Sequence, residues 1–175
     1  IVIVPADGIE TEQVIRTIAS HYGPVYVRLG RVKVPVVMPA EYRFQIGKAY
    51  AFHIGKDANI IAAGIMVSAA LEAREMLKDE GIDAGVINMS TVKPLDEDML
   101  LKAAEASSVI VTAEEHSIIG GLGGAVSEFL SERKPVKVKR IGVRDEFGRS
   151  GKPDELLKFY GLTAEDIARS IQTSL

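Results

Sequence analysis

Several places in this sequence hold ionisable or anion-binding groups in patterns that could do chemistry. They are Asp7 within Pro5-Ala6-Asp7-Gly8, Arg28 with Arg31 just beyond, Glu114-Glu115-His116, the glycine run from Gly120 to Gly124, and the charged stretch Arg144 to Gly151. A carboxylate selects a hydroxyl by accepting its proton in a hydrogen bond. A guanidinium fork suits phosphate oxygens better than an ammonium does. Each group also has an ordinary structural use. Asp7 reads as a helix cap, worth about 1 kcal/mol, Arg28 as a charge at a strand end, and His116 as a turn residue bonded to its neighbours. In the glycine run, Val126 stands where G-x-G-x-x-G needs its third glycine, and no acidic ribose partner follows at the end of a later strand. The run reads as a tight turn with close helix packing. The chain has no cysteine, which removes thiolate catalysis, zinc–thiolate sites and disulfides. Its three histidines, His21, His53 and His116, are too scattered to suggest a metal cluster.

In open α/β sheets, ligands meet the carboxyl ends of the strands, and the pattern puts these groups at such ends. Ile1 to Val4 reads as a short buried strand. Asp7 followed by Glu10 is a capping-box pattern opening a helix to about Tyr22, with Val14, Ile15 and Ile18 on its apolar face. Pro24 to Leu29 is a second strand, so the chain opens on one βαβ unit. That unit is below the roughly 40 residues needed for unaided folding. Residues 32–56, with Pro35 and Pro39, read as an interdomain linker with one short strand near Lys48 to Phe52.

From Asp57 the alternation is regular. Strands are expected at Asn59–Ala63, Ala84–Asn88, Ser108–Ala113 and Val136–Val143. Helices are expected at Met66–Glu80, Asp96–Ala106, Gly123–Arg133, Pro153–Tyr160 and Thr163–Thr173. Strands spaced by such helices imply a doubly wound α/β domain, a mostly parallel sheet covered by helices on both faces.

Composition narrows the class further. The 175 residues are 47% hydrophobic and 26% charged, a globular balance. A net charge of −3 argues against nucleic-acid binding. The basic stretch Lys134 to Arg140 alternates with valine and reads as a strand with one solvated face. No apolar run approaches the roughly 20 residues that span a bilayer, and no basic segment precedes an apolar one as in a signal peptide. The expectation is a soluble, cytoplasmic protein. A sequence that opens inside an apolar strand at Ile1, without methionine, is further expected to be a piece of a longer chain.

Read together, these segments resemble the carboxyl-terminal part of transketolase. The resemblance is carried by Pro5-Ala6-Asp7-Gly8-Ile9-Glu10-Thr11-Glu12, Val25-Tyr26-Val27-Arg28, Phe44-Gln45-Ile46-Gly47, Thr91-Val92-Lys93-Pro94-Leu95-Asp96, Glu114-Glu115-His116 with the glycine run, and Arg149-Ser150-Gly151-Lys152-Pro153. They occur in family order along the whole chain. The resemblance implies a transferase of the pentose phosphate pathway that uses thiamine diphosphate and Mg²⁺ or Ca²⁺. Such an enzyme moves a two-carbon ketol unit from a ketose phosphate to an aldose phosphate. It implies that residues 1–35 end a pyrimidine-binding domain, 36–56 form a linker, and 57–175 form the carboxyl-terminal domain, a three-layer α/β/α fold on a mostly parallel five-stranded sheet. The family's glycine-aspartate-glycine metal motif and the glutamate that activates the aminopyrimidine have no counterpart here. Cofactor, metal and catalytic residues are therefore expected on the amino-terminal half of the enzyme, fused or on a separate subunit, and the chain alone is expected to be inactive. Two substrate-binding residues carry over: Asp7 as a ligand of a donor-sugar hydroxyl, and Arg28 as the ligand of the sugar phosphate. The resemblance also implies a homodimer. Rival implications are 1-deoxyxylulose-5-phosphate synthase, the β-subunit of a 2-oxoacid dehydrogenase, and a module serving only dimerisation or partner contacts.

Overall fold

A computed structural model describes all residues from Ile1 to Leu175. Ten elements build the larger unit. Strand β3 (Tyr50–His53), β4 (Ala58–Ala62), β5 (Ala84–Asn88), β7 (Val109–Ser117) and β8 (Lys137–Val143) form one sheet in the order β3-β5-β4-β7-β8. β4, β5, β7 and β8 pair in parallel, and β3 joins antiparallel at the β5 edge. Helices α2 (Met66–Asp79) and α6 (Ala164–Gln172) cover one face, and α3 (Glu97–Ala106) and α4 (Leu122–Arg133) the other. The tenth element, α5 (Pro153–Phe159), is a short amphipathic turn of helix on the α6 side.

Successive residues of a strand point to opposite faces, and the core divides accordingly. Ile60, Val86 and Val111 pack with Val67, Ala70 and Ile167 on one side, while Ile61, Ile87 and Ile110 pack with Leu100, Val126 and Leu130 on the other. This is the three-layer, mostly parallel five-stranded architecture that the resemblance implies. Its fifth strand is β3, inside the stretch read as linker, so the domain's sheet begins at Tyr50 and not after Asp57.

A second sheet of three strands lies beside it, with β1 (Val2–Ile3) between β2 (Tyr26–Val27) and β6 (Thr91–Lys93). β1 (Val2–Ile3) pairs in parallel with β2 (Tyr26–Val27), with α1 (Gly8–Ile18) between them in sequence. The other neighbour of β1 is β6 (Thr91–Lys93), antiparallel, a strand the sequence pattern does not show. The Val4 amide donates to the Ser90 carbonyl (2.7 Å), and the Gly64 amide donates to the Val4 carbonyl (3.1 Å). The N-terminal βαβ unit is therefore stitched by backbone hydrogen bonds to the residues just after β4 and β5.

Residues between the two units are not a loose tether. Met38, Tyr42 and Phe44 are buried, and α1 holds this strap through side chains spaced three apart. One Asp7 carboxylate oxygen accepts from the Val37 (2.7 Å) and Met38 (2.8 Å) amides. Glu10, fully buried, accepts from the Tyr42 hydroxyl (2.6 Å), the Asn88 side-chain amide (3.0 Å) and the Ala6 amide (2.7 Å). Gln13 donates to the Tyr42 carbonyl (2.8 Å) and accepts from the Phe44 amide (2.9 Å). Burial, followed by the neighbouring Glu10 charge, pushes the Tyr42 phenol well above its usual range, so it stays a neutral donor.

Two expectations for α1 need correction. The helix ends at Ile18, because residues 19–22 are solvent-exposed or nearly so and have nothing to bury. Ile15 is also largely exposed, so the inward face is Glu10, Gln13 and Val14 rather than a purely apolar stripe.

Candidate functional site: a cleft between the two sheets

β7 outruns its neighbour. Its pairing with β4 stops at Ala113, whereas its own strand continues to Ser117 with an irregular register against β8. The overhang carries Glu114, Glu115 and His116, and the strand's two-residue period sends the two carboxylates to different destinations. Glu114 turns into the molecule, where its two oxygens accept from the Leu122 and Gly123 amides, each at 2.7 Å. It thereby satisfies free N–H groups at the start of α4, where the helix dipole also favours negative charge. Glu115 meets Arg28, with Nη2 to Oε2 at 3.5 Å. The His116 Nδ1 lies 2.9 Å from the Ser117 carbonyl. A carbonyl can only accept, so Nδ1 carries the proton and Nε2 is the acceptor in the neutral ring.

Arg28 reaches this place because its amide donates to the Ile3 carbonyl (2.9 Å), extending the β1–β2 ladder by one rung. Its side chain then lies in a cleft of about 200 Å³ between the sheets, shared with Val2, Tyr26, Glu115, His116 and Gly121. The Arg28 side chain keeps 33% of its surface exposed and Glu115 keeps 40%. A guanidinium with one weak partner and open donors can hold an anion. No nucleophile–base pair faces it.

Asp7 stands elsewhere. It is 2% exposed, one oxygen caps α1 through the Glu10 amide (2.9 Å), and the other takes the two strap amides. It borders a separate concavity formed with Gly8, Leu29 and Val32, so the structure does not bring Asp7 and Arg28 into one cavity. Arg31 is outside the cleft as well. What sequence reasoning missed is that Glu115 faces Arg28, since pairing with a distant arginine leaves no local signal.

The glycine run now has a physical explanation. A Cβ on Gly121 would come within 2.1 Å of a Glu114 carboxylate oxygen, and one on Gly123 within 2.6 Å of the Thr112 hydroxyl. Because Glu114 is pinned by two amides, it cannot move without losing them. We expect Gly121→Ala to destabilise the fold by about 2–3 kcal/mol, as overpacking does. Gly124→Ala, with open space around it, should be neutral or stabilising by up to about 1 kcal/mol. Thermal melts of the two variants check this. With its amides occupied by Glu114, the N-terminus of α4 offers no seat for a diphosphate. The chain also gathers no group of three or more His, Cys, Asp or Glu side chains that could hold a metal ion. The residues present here do not fit either group.

The family profile for the transketolase C-terminal domain matches residues 47–167. The chain belongs to the transketolase C-terminal domain family. It is 48% identical to a putative transketolase C-terminal section of Methanocaldococcus jannaschii, over 100% of this chain and 55% of that protein. It is 39% identical to 1-deoxy-D-xylulose-5-phosphate synthase of Heliobacterium modesticaldum, over 97% of this chain and 27% of that protein. Among solved structures it superposes on a split gene transketolase described as an inactive β4 tetramer. That match has a TM-score of 0.95 and 48% identity, and covers 98% of this chain and 56% of the other. The chain thus spans about half the length of the M. jannaschii relative and of that tetramer's subunit. The family match starts at residue 47, ahead of β3, in agreement with the placement of β3 in the domain's sheet. No helix is long and apolar enough to cross a membrane.

Proposed function

We propose that this chain is the carboxyl-terminal part of a thiamine-diphosphate-dependent transketolase. It would work with an amino-terminal half, fused or separate, to transfer a two-carbon ketol unit from a ketose phosphate to an aldose phosphate. The observation that carries the reading is the Arg28 guanidinium, a third exposed, in a cleft at the carboxyl ends of strands from both sheets. Thiamine diphosphate, when bound on the amino-terminal half with Mg²⁺ or Ca²⁺, supplies the carbanion chemistry. This chain's own contribution is to hold the phosphate end of the sugar through Arg28 and to shape the cleft around it. The reading divides the chain into a pyrimidine-domain remnant (1–35), a strap, and the carboxyl-terminal domain, whose sheet takes in β3 ahead of Asp57, assembled in a cytoplasmic homodimer. A relative that is a putative C-terminal section, and a structural neighbour that is an inactive β4 tetramer, support a chain that is inactive alone.

Asp7 acts in this scheme through the backbone it fixes, not by touching sugar. Asp7→Ala should cost about 2–3 kcal/mol, from the lost cap and two strap amides, one buried and one part-buried, left without a partner. A shift in donor-hydroxyl preference at an unchanged melting temperature would restore Asp7 as a sugar ligand.

The test is to combine the chain with the amino-terminal half of the enzyme and follow two-carbon transfer between sugar phosphates. Transfer by the mixture and none by either part alone is the expected result. The 39% identity to 1-deoxy-D-xylulose-5-phosphate synthase favours that enzyme as the second reading. Formation of 1-deoxy-D-xylulose 5-phosphate without ketol transfer would select it. Acyl transfer to lipoyl groups, or binding without turnover, would contradict both.

A further inference from the structure

We propose that Glu115 is an internal counter-ion that competes with the sugar phosphate for Arg28, forming a charge latch between the two sheets that substrate opens. The proposal rests on the reading of Arg28 as the phosphate ligand and assigns a role to the residue facing it.

The two carboxylates of the β7 overhang have opposite fates. Glu114 is buried and holds two amides at 2.7 Å. Glu115 accepts no hydrogen bond from backbone or side chain, and its one polar partner is Arg28. Arg28 likewise spends its guanidinium on nothing else. At 3.5 Å the contact is longer than the roughly 2.7–2.9 Å of a tight charge-assisted bond. Both side chains keep a third or more of their surface in water, a setting in which ion pairs are weak and exchange freely. Glu115 therefore neutralises the guanidinium without locking it.

An incoming phosphate monoester has two advantages over this carboxylate. It carries about −1.5 to −2 charge at neutral pH and offers three acceptor oxygens to the fork. It can displace Glu115, while an uncharged sugar end cannot. Because Arg28 belongs to the β1–β2 unit and Glu115 to β7 of the larger sheet, displacement also breaks a cross-link between the two units. The site is closed by its own charge until a dianion arrives, and every anion that binds must first overcome the same competitor.

Glu115→Gln removes the competing charge and keeps the shape. In the assembled enzyme it should lower KM for a phosphorylated donor about three- to fivefold with little change in kcat, the range expected for a partly exposed pair. The inhibition constant of inorganic phosphate should fall by the same factor. KM for the corresponding unphosphorylated ketose should not move. In an Arg28→Ala background, Glu115→Gln should lose its effect, since the two act through one contact. An unchanged KM for the phosphorylated donor in Glu115→Gln overturns the latch, and so does a raised one, which would make Glu115 a positioning residue. If Arg28→Ala raises KM as expected, either result removes the latch alone. If Arg28→Ala leaves KM untouched, the phosphate reading and the latch fall together.

Discussion

Glu10→Ala is expected to be the most destabilising single change in this chain, costing about 3–5 kcal/mol. Glu10 is fully buried and its carboxylate is the acceptor for three elements at once: the Ala6 amide before α1, the Tyr42 hydroxyl on the strap, and the Asn88 amide at the end of β5. Truncation leaves three donors facing one another without an acceptor, and each buried orphan costs about 1–3 kcal/mol. For a chain of this size, each kcal/mol lowers the melting temperature by about 2–4 °C, so the expected fall is about 6–20 °C. Tyr42→Phe, which deletes one donor and leaves the carboxylate its other two partners, should cost only about 1–2 kcal/mol. Circular-dichroism melts of both variants decide the matter. Equal losses would mean that the network is not centred on Glu10.

Arg28→Ala should raise KM for phosphorylated sugars about 10- to 100-fold in the assembled enzyme and change kcat far less. Hydrogen bonds to a charged group contribute about 1.5–3 kcal/mol, and each 1.4 kcal/mol is about tenfold in affinity. The phosphate lies away from the bond that is made or broken, so this contact persists from ground state to transition state and its loss appears in KM. Arg28→Lys should recover part of the effect, because it restores the charge but not the planar fork. A loss in kcat alone would point to a role nearer the chemistry.

Much of the larger domain was legible because its residues obey local rules. Ile60, Val86 and Val111 sit in continuous apolar runs, as strands buried on both faces do. Thr163 accepts from the Asp166 amide as its spacing predicts, and Gly81 ends α2 with a φ of +81°. Asp7 could be read as a cap for the same reason, because its partner Glu10 is three residues away.

The strap was not legible. Glu10 and Gln13 look like ordinary polar residues of a surface helix, and only the fold reveals that Tyr42 and Phe44 come to them. β6 was missed because three residues ending at a proline give no usable period, and its partner, β1, lies at the other end of the fold's first half. At the site, Arg28 was found by resemblance. Glu115 stood among the candidates, but its pairing with Arg28 was not foreseen, since an ion pair between residues distant in sequence is set by how two sheets meet.

The central claim is that the cleft between the sheets receives the phosphate end of a sugar. Its most direct test is the ratio of kcat/KM for a ketose phosphate to that for its dephosphorylated counterpart, measured for the assembled enzyme with and without Arg28→Ala. The account predicts that the substitution drives this ratio down by about 10- to 100-fold toward unity, by penalising only the phosphorylated donor. A ratio that stays the same, with both donors affected alike or not at all, would contradict it.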